Sequence, residues 1–122
     1  MRDMTPMDMV REFMLAMSQP VDVQWTDFAT DDALLAYRLN AEEDKELQEA
    51  IEPVEIIGEL ADKVYVAYWF AAKFGWDLDT ALRRKHAANM SKLGPDGKPI
   101  FDAGGKVLKG PNYKKPYLKD LV

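Results

Sequence analysis

Cysteine is absent from this chain of 122 residues, and histidine occurs once. The first absence excludes disulfides and thiolate metal sites, and it suits a reducing cytosol. No basic flank precedes an apolar segment near the N-terminus, so no secretory signal is expected. No apolar run is long enough to span a bilayer: the longest, Val64 to Ala72, is far too short. Internal repeats and low-complexity tracts are also missing. What remains is a length suited to one domain and an apolar fraction of 48%, ordinary for a globular protein.

Charge is unevenly distributed. Residues 1–91 carry 9 basic and 18 acidic side chains, whereas residues 92–122 carry 7 lysines and 3 aspartates. An acidic body releases no counterions from a phosphate backbone, so neither a nucleic-acid nor a membrane partner is expected. A solvated acidic surface with a basic end explains the split. So does a metal-phosphate ligand, with metal held by one part and phosphate by the other.

The periodicity is helical. Thr5-Pro6 forms a cap and first-turn proline, and Met7, Val10, Phe13, Met14 and Met17 follow at helical spacing until Gln19-Pro20. A loop with Trp25 and Phe28 follows, its aromatics serving to plug the protein or to stack on a base. Thr30-Asp31-Asp32 caps a second helix that runs to about Ile51. Pro53 opens a third to Phe74, closed by Gly75, and Asp77 caps a fourth to about Met90. Beyond Leu93, Gly-Pro breakers dominate, and Ile100-Phe101 and Val107-Leu108 flank a glycine turn that predicts a short hairpin. The fold class is therefore all-α, with a helical domain over residues 1–93 and a Gly/Pro/Lys-rich tail over 94–122. The tail is either a disordered appendage or a hairpin over the acidic cleft, and its apolar residues favour the hairpin. Apolar and aromatic residues surround much of the third helix from Val54 to Trp69, which predicts a homodimer or homotetramer.

Two acidic segments carry the chemistry. Glu42-Glu43-Asp44-Lys45-Glu46 lies on the second helix and Glu59-Leu60-Ala61-Asp62 on the third. Three-residue spacing puts Glu43 with Glu46, and Glu59 with Asp62, on single helix faces where like charges repel. On consecutive antiparallel helices the pairs face each other, and four close carboxylates need a compensating cation to stay ionised. Hard oxygen donors favour Mg²⁺ or Mn²⁺, and the lack of a suitably spaced histidine argues against zinc. Surface solvation accounts for Glu49, Glu52 and Glu55. It fits Glu59 and Asp62 poorly, because they sit in the most apolar helix.

Glu42-Glu43-x-x-Glu46, followed after twelve residues by Glu59-x-x-Asp62, resembles the signature of the MazG-like all-α NTP pyrophosphohydrolases. That superfamily includes dimeric dUTPases and phosphoribosyl-ATP pyrophosphohydrolases. Arg38, Asn89-x-x-Lys92 and the tail through Asp96-Gly-Lys-Pro-Ile and Lys109-Gly-Pro-Asn-Tyr113 are similar to short MazG-like proteins of phages and bacteria. The resemblance covers about residues 8–118. One departure is Met14, where relatives often carry a histidine after the phenylalanine of the first helix.

The resemblance implies a Mg²⁺-dependent enzyme of the cytoplasm of a bacterium or phage-infected host. It would cleave the α–β bond of a nucleoside triphosphate to the monophosphate and pyrophosphate. It implies Glu43, Glu46, Glu59 and Asp62 as metal ligands, with Glu42 and Glu43 in the catalytic role. Glu42 would orient water, act as a base, or accept a hydrogen bond behind the ligands. Arg38, Lys85, Asn89, Lys92, Lys106, Lys109 and Tyr113 are the candidate substrate contacts. His86 receives no role, and Trp69 and Trp76 read as core or interface. The alternatives are dUTP, phosphoribosyl-ATP or a guanosine alarmone as substrate, or a non-catalytic acidic module for a basic partner.

Overall fold

The first helix, α1 (Pro6–Ala16), begins at a complete capping box. The Thr5 hydroxyl accepts the Asp8 N–H at 3.1 Å and the Asp8 carboxylate accepts the Thr5 N–H at 3.0 Å. It ends earlier than the expected Gln19-Pro20 stop. Ser18 takes φ 55°, and the Gln19 N–H donates to the Met14 carbonyl at 2.8 Å, closing the last turn. The structure, a computed structural model, describes residues 3–26 and 31–122. Phe28 and the expected Thr30 cap lie outside the described residues.

Helix α2 (Asp31–Glu49) stops short of Ile51. Glu52 must be extended because it precedes Pro53, and it is, at ψ 145°. Helix α3 (Pro53–Lys73) starts with proline at its first position, where no N–H is required. Phe74 is its C-cap and Gly75 follows at φ 72°, the left-handed conformation that ends helices. The segment after α1 completes this end: the Asp22 N–H donates to the Ala72 carbonyl at 3.1 Å and the Val23 N–H to Lys73 at 2.7 Å. Asp22 is itself gripped by both guanidinium nitrogens of Arg11 at 2.9 Å. Helix α4 (Leu78–Met90) follows.

The chain divides into two compact units, Met1–Leu78 and Asp79–Val122. In the first, α3 packs against both α1 and α2. Val10 and Met14 of α1, Ala36 of α2 and Tyr68, Trp69 and Ala72 of α3 form the core. Ala36 and Ala72 are fully buried, and residues so small let helix axes approach closely. At the C-terminal end of α3, Trp25 meets Phe74 edge-on at 5.0 Å and lies 5.4 Å from Trp76, so this loop aromatic covers the helix end. Ile57, Leu60 and Val64 stay exposed on the far face of α3 and line an apolar groove with Pro6 and Met9 of α1. No described helix is long and apolar enough to cross a membrane.

In the second unit the segment after α4 is tied back to that helix. Both guanidinium nitrogens of Arg84 reach Asp120, at 2.6 and 3.1 Å, and one also donates to the Tyr117 carbonyl at 3.0 Å. The Ser91 hydroxyl accepts the Lys114 N–H at 3.0 Å. The Gly110 N–H donates to the Lys92 carbonyl at 2.9 Å. The expected hairpin reduces to a single antiparallel bridge between Phe101 and Val107. Its turn is held by Asp102, whose carboxylate accepts the N–H groups of Gly104 and Lys106, each at 2.9 Å. The chain ends in a 3₁₀ turn, Lys119–Leu121. The described residues contain four α-helices and no regular strand, an all-α fold.

Candidate active site

Two salt bridges define the register of α2 against α3. Lys73 lies 3.0 Å from Asp32 at one end, and Lys63 lies 2.8 Å from Asp44 further along. Twelve positions forward on α2 thus run alongside ten positions back on α3, an antiparallel pairing. That register sets Glu43 opposite Asp62 and Glu46 opposite Glu59. The outcome is direct: one carboxylate oxygen from each of the four lies within 4.8 Å of the others.

This cluster is anionic and partly dry. Glu43 and Glu59 are half-buried while Glu46 and Asp62 are exposed. The Oε2 atoms of Glu43 and Glu59 are buried with no hydrogen-bond partner. Burial, foremost, pushes the Glu43 carboxyl above the usual glutamate range, followed by the charges of Glu46, Asp62 and Glu59. The Glu59 carboxyl is raised as well, first by desolvation and then by its hydrogen bond with Glu46 and by neighbouring charge. A buried oxygen without a partner is costly, and two in one acidic cluster call for a cation. Four carboxylates supply only hard oxygen donors, so the residues fit a divalent metal of that class. No donor here suits a soft metal.

The sequence matches the phosphoribosyl-ATP pyrophosphohydrolase family over residues 10–89, more than half of the chain. The chain belongs to that family. It is thus a pyrophosphohydrolase, a hydrolase of acid anhydrides, within the MazG-like all-α superfamily. The matched span contains all four carboxylates and ends at Asn89. No individual curated protein matches the sequence.

The four-carboxylate group of this pyrophosphohydrolase includes none of the other candidate residues. Glu42 is exposed on α2 beside it, one position before Glu43. Arg38 is exposed one turn before Glu42, bordering a recess with Asp31, Leu34 and Leu35. Lys85, Asn89, Lys92, Lys106, Lys109 and Tyr113 belong to the second unit. Within it, Lys85 and Asn89 are exposed on α4, as is His86. Lys92 sits just past the helix and joins Gly110 through its carbonyl. Lys109 Nζ lies 4.8 Å above the Tyr113 ring, and Lys106 is exposed in the hairpin turn.

Two residues of the first unit escaped the sequence reading. Lys73 is buried, paired with Asp32 and 4.6 Å above the Trp69 ring. A lysine within Ala71-Ala72-Lys73-Phe74 was the available signal, since such a charge requires a partner. Gln19 accepts the Trp69 indole N–H at 3.1 Å, a contact across fifty positions that no local pattern signals.

Proposed function

We propose that this chain is a Mg²⁺-dependent nucleoside triphosphate pyrophosphohydrolase of the cytoplasm, releasing a nucleoside monophosphate and pyrophosphate. The observation that carries the reading is the paired carboxylate group with its two buried, partnerless oxygens. Glu43, Glu46, Glu59 and Asp62 would hold the metal. When bound, Mg²⁺, or Mn²⁺ in its place, supplies positive charge against phosphate oxygens and acidifies a water.

The chain's own part is positioning. A water oxygen adds to phosphorus at the α–β anhydride, the bridging P–O bond breaks, and pyrophosphate departs. Glu42, exposed beside the cluster, would orient that water and take its proton. The Glu43 carboxyl is raised by burial and by its anionic neighbours, and the charge of a bound cation would act in the opposite direction, favouring its ionised form. Arg38, Lys85, Asn89 and Lys92 would donate to phosphate oxygens not held by metal. Lys106, Lys109 and Tyr113 would contact the same triphosphate from the C-terminal segment of this chain or of a neighbour.

Assembly as a homodimer or homotetramer is part of this reading. Val54, Ile57 and Val64 are 76%, 67% and 53% exposed on one chain, and an apolar face of that kind is ordinarily covered. Phosphoribosyl-ATP carries the same α–β linkage, and so do dUTP and guanosine polyphosphates with a 5′-di- or triphosphate. One experiment tests the reaction class. Pyrophosphate release from a nucleotide panel, phosphoribosyl-ATP included, is expected in Mg²⁺ and abolished in EDTA. Release that persists in EDTA would sink the metal reading.

A further inference from the structure

The register that joins the carboxylates also fixes what lies next to them. One turn from Asp62 on α3 is Val66, and one turn from Glu43 on α2 is Leu39. Both line a cleft of about 430 Å³ completed by Phe13 and Tyr65, by Leu35, and by Gln19 with Trp69. The cleft lies in the first unit, on a different side of α3 from the exposed Ile57–Leu60–Val64 face. Phe13 and Tyr65 meet edge-on at 5.7 Å, giving it an aromatic wall. Its volume falls in the range of small-molecule sites, and its lining is mostly apolar, with Gln19 and Trp69 meeting at one part of it and the Tyr65 phenol as a further polar group.

Along α3, Trp69 stands seven residues beyond Asp62, roughly 10 Å at 1.5 Å per residue. A nucleoside spans that distance when its phosphates lie at the carboxylates. The base would then enter with its ribose toward Asp62 and its far edge, the one carrying the exocyclic group, toward Gln19.

At that point the chemistry is directional. An indole N–H only donates, so the oxygen of Gln19 must face Trp69, and the amide NH₂ is the end left for a ligand. Trp69 is buried, which limits the freedom of this pair. A fixed donor accepts a carbonyl at the exocyclic position and opposes an amino group there. We propose that this cleft is the nucleobase subsite and that Gln19, oriented by Trp69, makes the enzyme prefer keto bases over their amino counterparts. The proposal rests on the nucleotide-hydrolase reading for the direction in which the ligand lies. It adds the substrate class: inosine-, guanine- and uracil-type nucleotides ahead of adenine and cytosine.

Matched pairs test it without relying on turnover. The α,β-imido analogues of ITP and ATP, and of UTP and CTP, are titrated calorimetrically against wild type, Gln19→Leu and Gln19→Glu in Mg²⁺. Wild type is expected to favour the keto member of each pair by about 10- to 100-fold, the cost of leaving an amide donor that the bound base covers facing another donor. Gln19→Leu should bring both ratios close to one, mainly by weakening the keto ligands. Gln19→Glu is nearly isosteric and turns an acceptor toward the base, so it should reverse the preference. Wild-type ratios within threefold of one overturn the proposal, whatever the variants do. Equal weakening of both members in Gln19→Leu overturns it too, making Gln19 a prop for Trp69. Pyrophosphate release from the natural nucleotides is read in parallel. Selective binding without release would leave the base subsite standing and remove the hydrolase reading. Release at equal rates from ITP and ATP would do the reverse.

Discussion

The Lys73 ammonium is almost completely buried, and its charge is met by Asp32 at 3.0 Å on the opposing helix and by the Trp69 ring 4.6 Å below it. The two partners differ sharply in exposure: the Lys73 side chain is 3% exposed and that of Asp32 is 42%. Removing one partner is therefore unlike removing the other. An Asp32→Ala chain keeps a buried cation with only an aromatic face against it and should lose about 2–3 kcal/mol in urea unfolding. A Lys73→Met chain leaves an aspartate that water already reaches and fills the space with apolar atoms, so it should change stability by less than about 1 kcal/mol. Equal losses in the two variants would show that the pair is not asymmetric.

The carboxylate cluster should trade stability against activity. Glu59 and Glu43 each hold a buried oxygen without a partner beside three other acids. In EDTA, Glu59→Gln relieves repulsion and should raise the melting temperature by a few degrees. The same substitution should reduce pyrophosphate release by about 100-fold or more in Mg²⁺, on the scale expected for loss of a metal-site group. Glu46→Gln and Asp62→Asn should lose activity likewise, with smaller thermal gains because both are exposed. A Glu59→Gln enzyme retaining half its turnover would remove Glu59 from the proposed site.

Much of this was legible in advance, and the reasons are local. Thr5-Pro6 specifies one helix start and Pro53 another, and the structure adds Asp8 to the first cap and an extended Glu52 before the second. Period-three acids on neighbouring helices needed only antiparallel packing to meet. What stayed hidden depends on contacts distant in sequence. Helix α1 ends at Ala16 because Ser18 adopts a left-handed turn, which no breaker residue announces. Gln19 gains its orientation from Trp69, fifty positions away. The expected hairpin shrank to one bridge because Asp102 holds the turn through side-chain acceptance, leaving few residues to pair.

The pH dependence of the metal-free protein follows from the same cluster. The Glu43 and Glu59 carboxyls are raised on folding, so the native state binds protons that the unfolded chain has released. Stability from these groups is then present below the unfolded value, about 4.3, and is lost as pH rises through the raised native values. Asp22 and Asp120 behave oppositely, lowered chiefly by their hydrogen bonds with Arg11 and Arg84, and their contribution disappears only on acidification below the ordinary aspartate range. Both are solvent-facing, so their part is small. In EDTA the melting temperature should therefore rise as pH falls from 7 to about 5. Saturating Mg²⁺ or Glu59→Gln should flatten that slope. A metal-free protein whose melting temperature falls across this interval would contradict the direction given for Glu43 and Glu59.

The C-terminal segment offers a test that leaves the carboxylates untouched. Gly110 is buried, and its N–H donates to the Lys92 carbonyl at 2.9 Å. A Cβ there would lie 2.6 Å from the Leu93 carbonyl oxygen and 2.7 Å from that of Lys92. Both are backbone atoms just past the end of α4, so neither can swing aside as a side-chain tip would. Gly110→Ala must push the segment off the helix end and break the Lys92 bond, at a cost of about 2–3 kcal/mol to the second unit. Hydrogen exchange should show lost protection at Gly110, Tyr113 and Lys114, while amides of α1 to α3 keep theirs. Lys109 and Tyr113 flank the displaced glycine. If they contact the triphosphate as proposed, KM should rise about tenfold with Mg²⁺ affinity unchanged, and Lys109→Ala should reproduce part of that rise. A Gly110→Ala enzyme with lost protection but wild-type KM and kcat would remove the C-terminal segment from substrate binding, because the residues assigned to the phosphates would have moved without consequence.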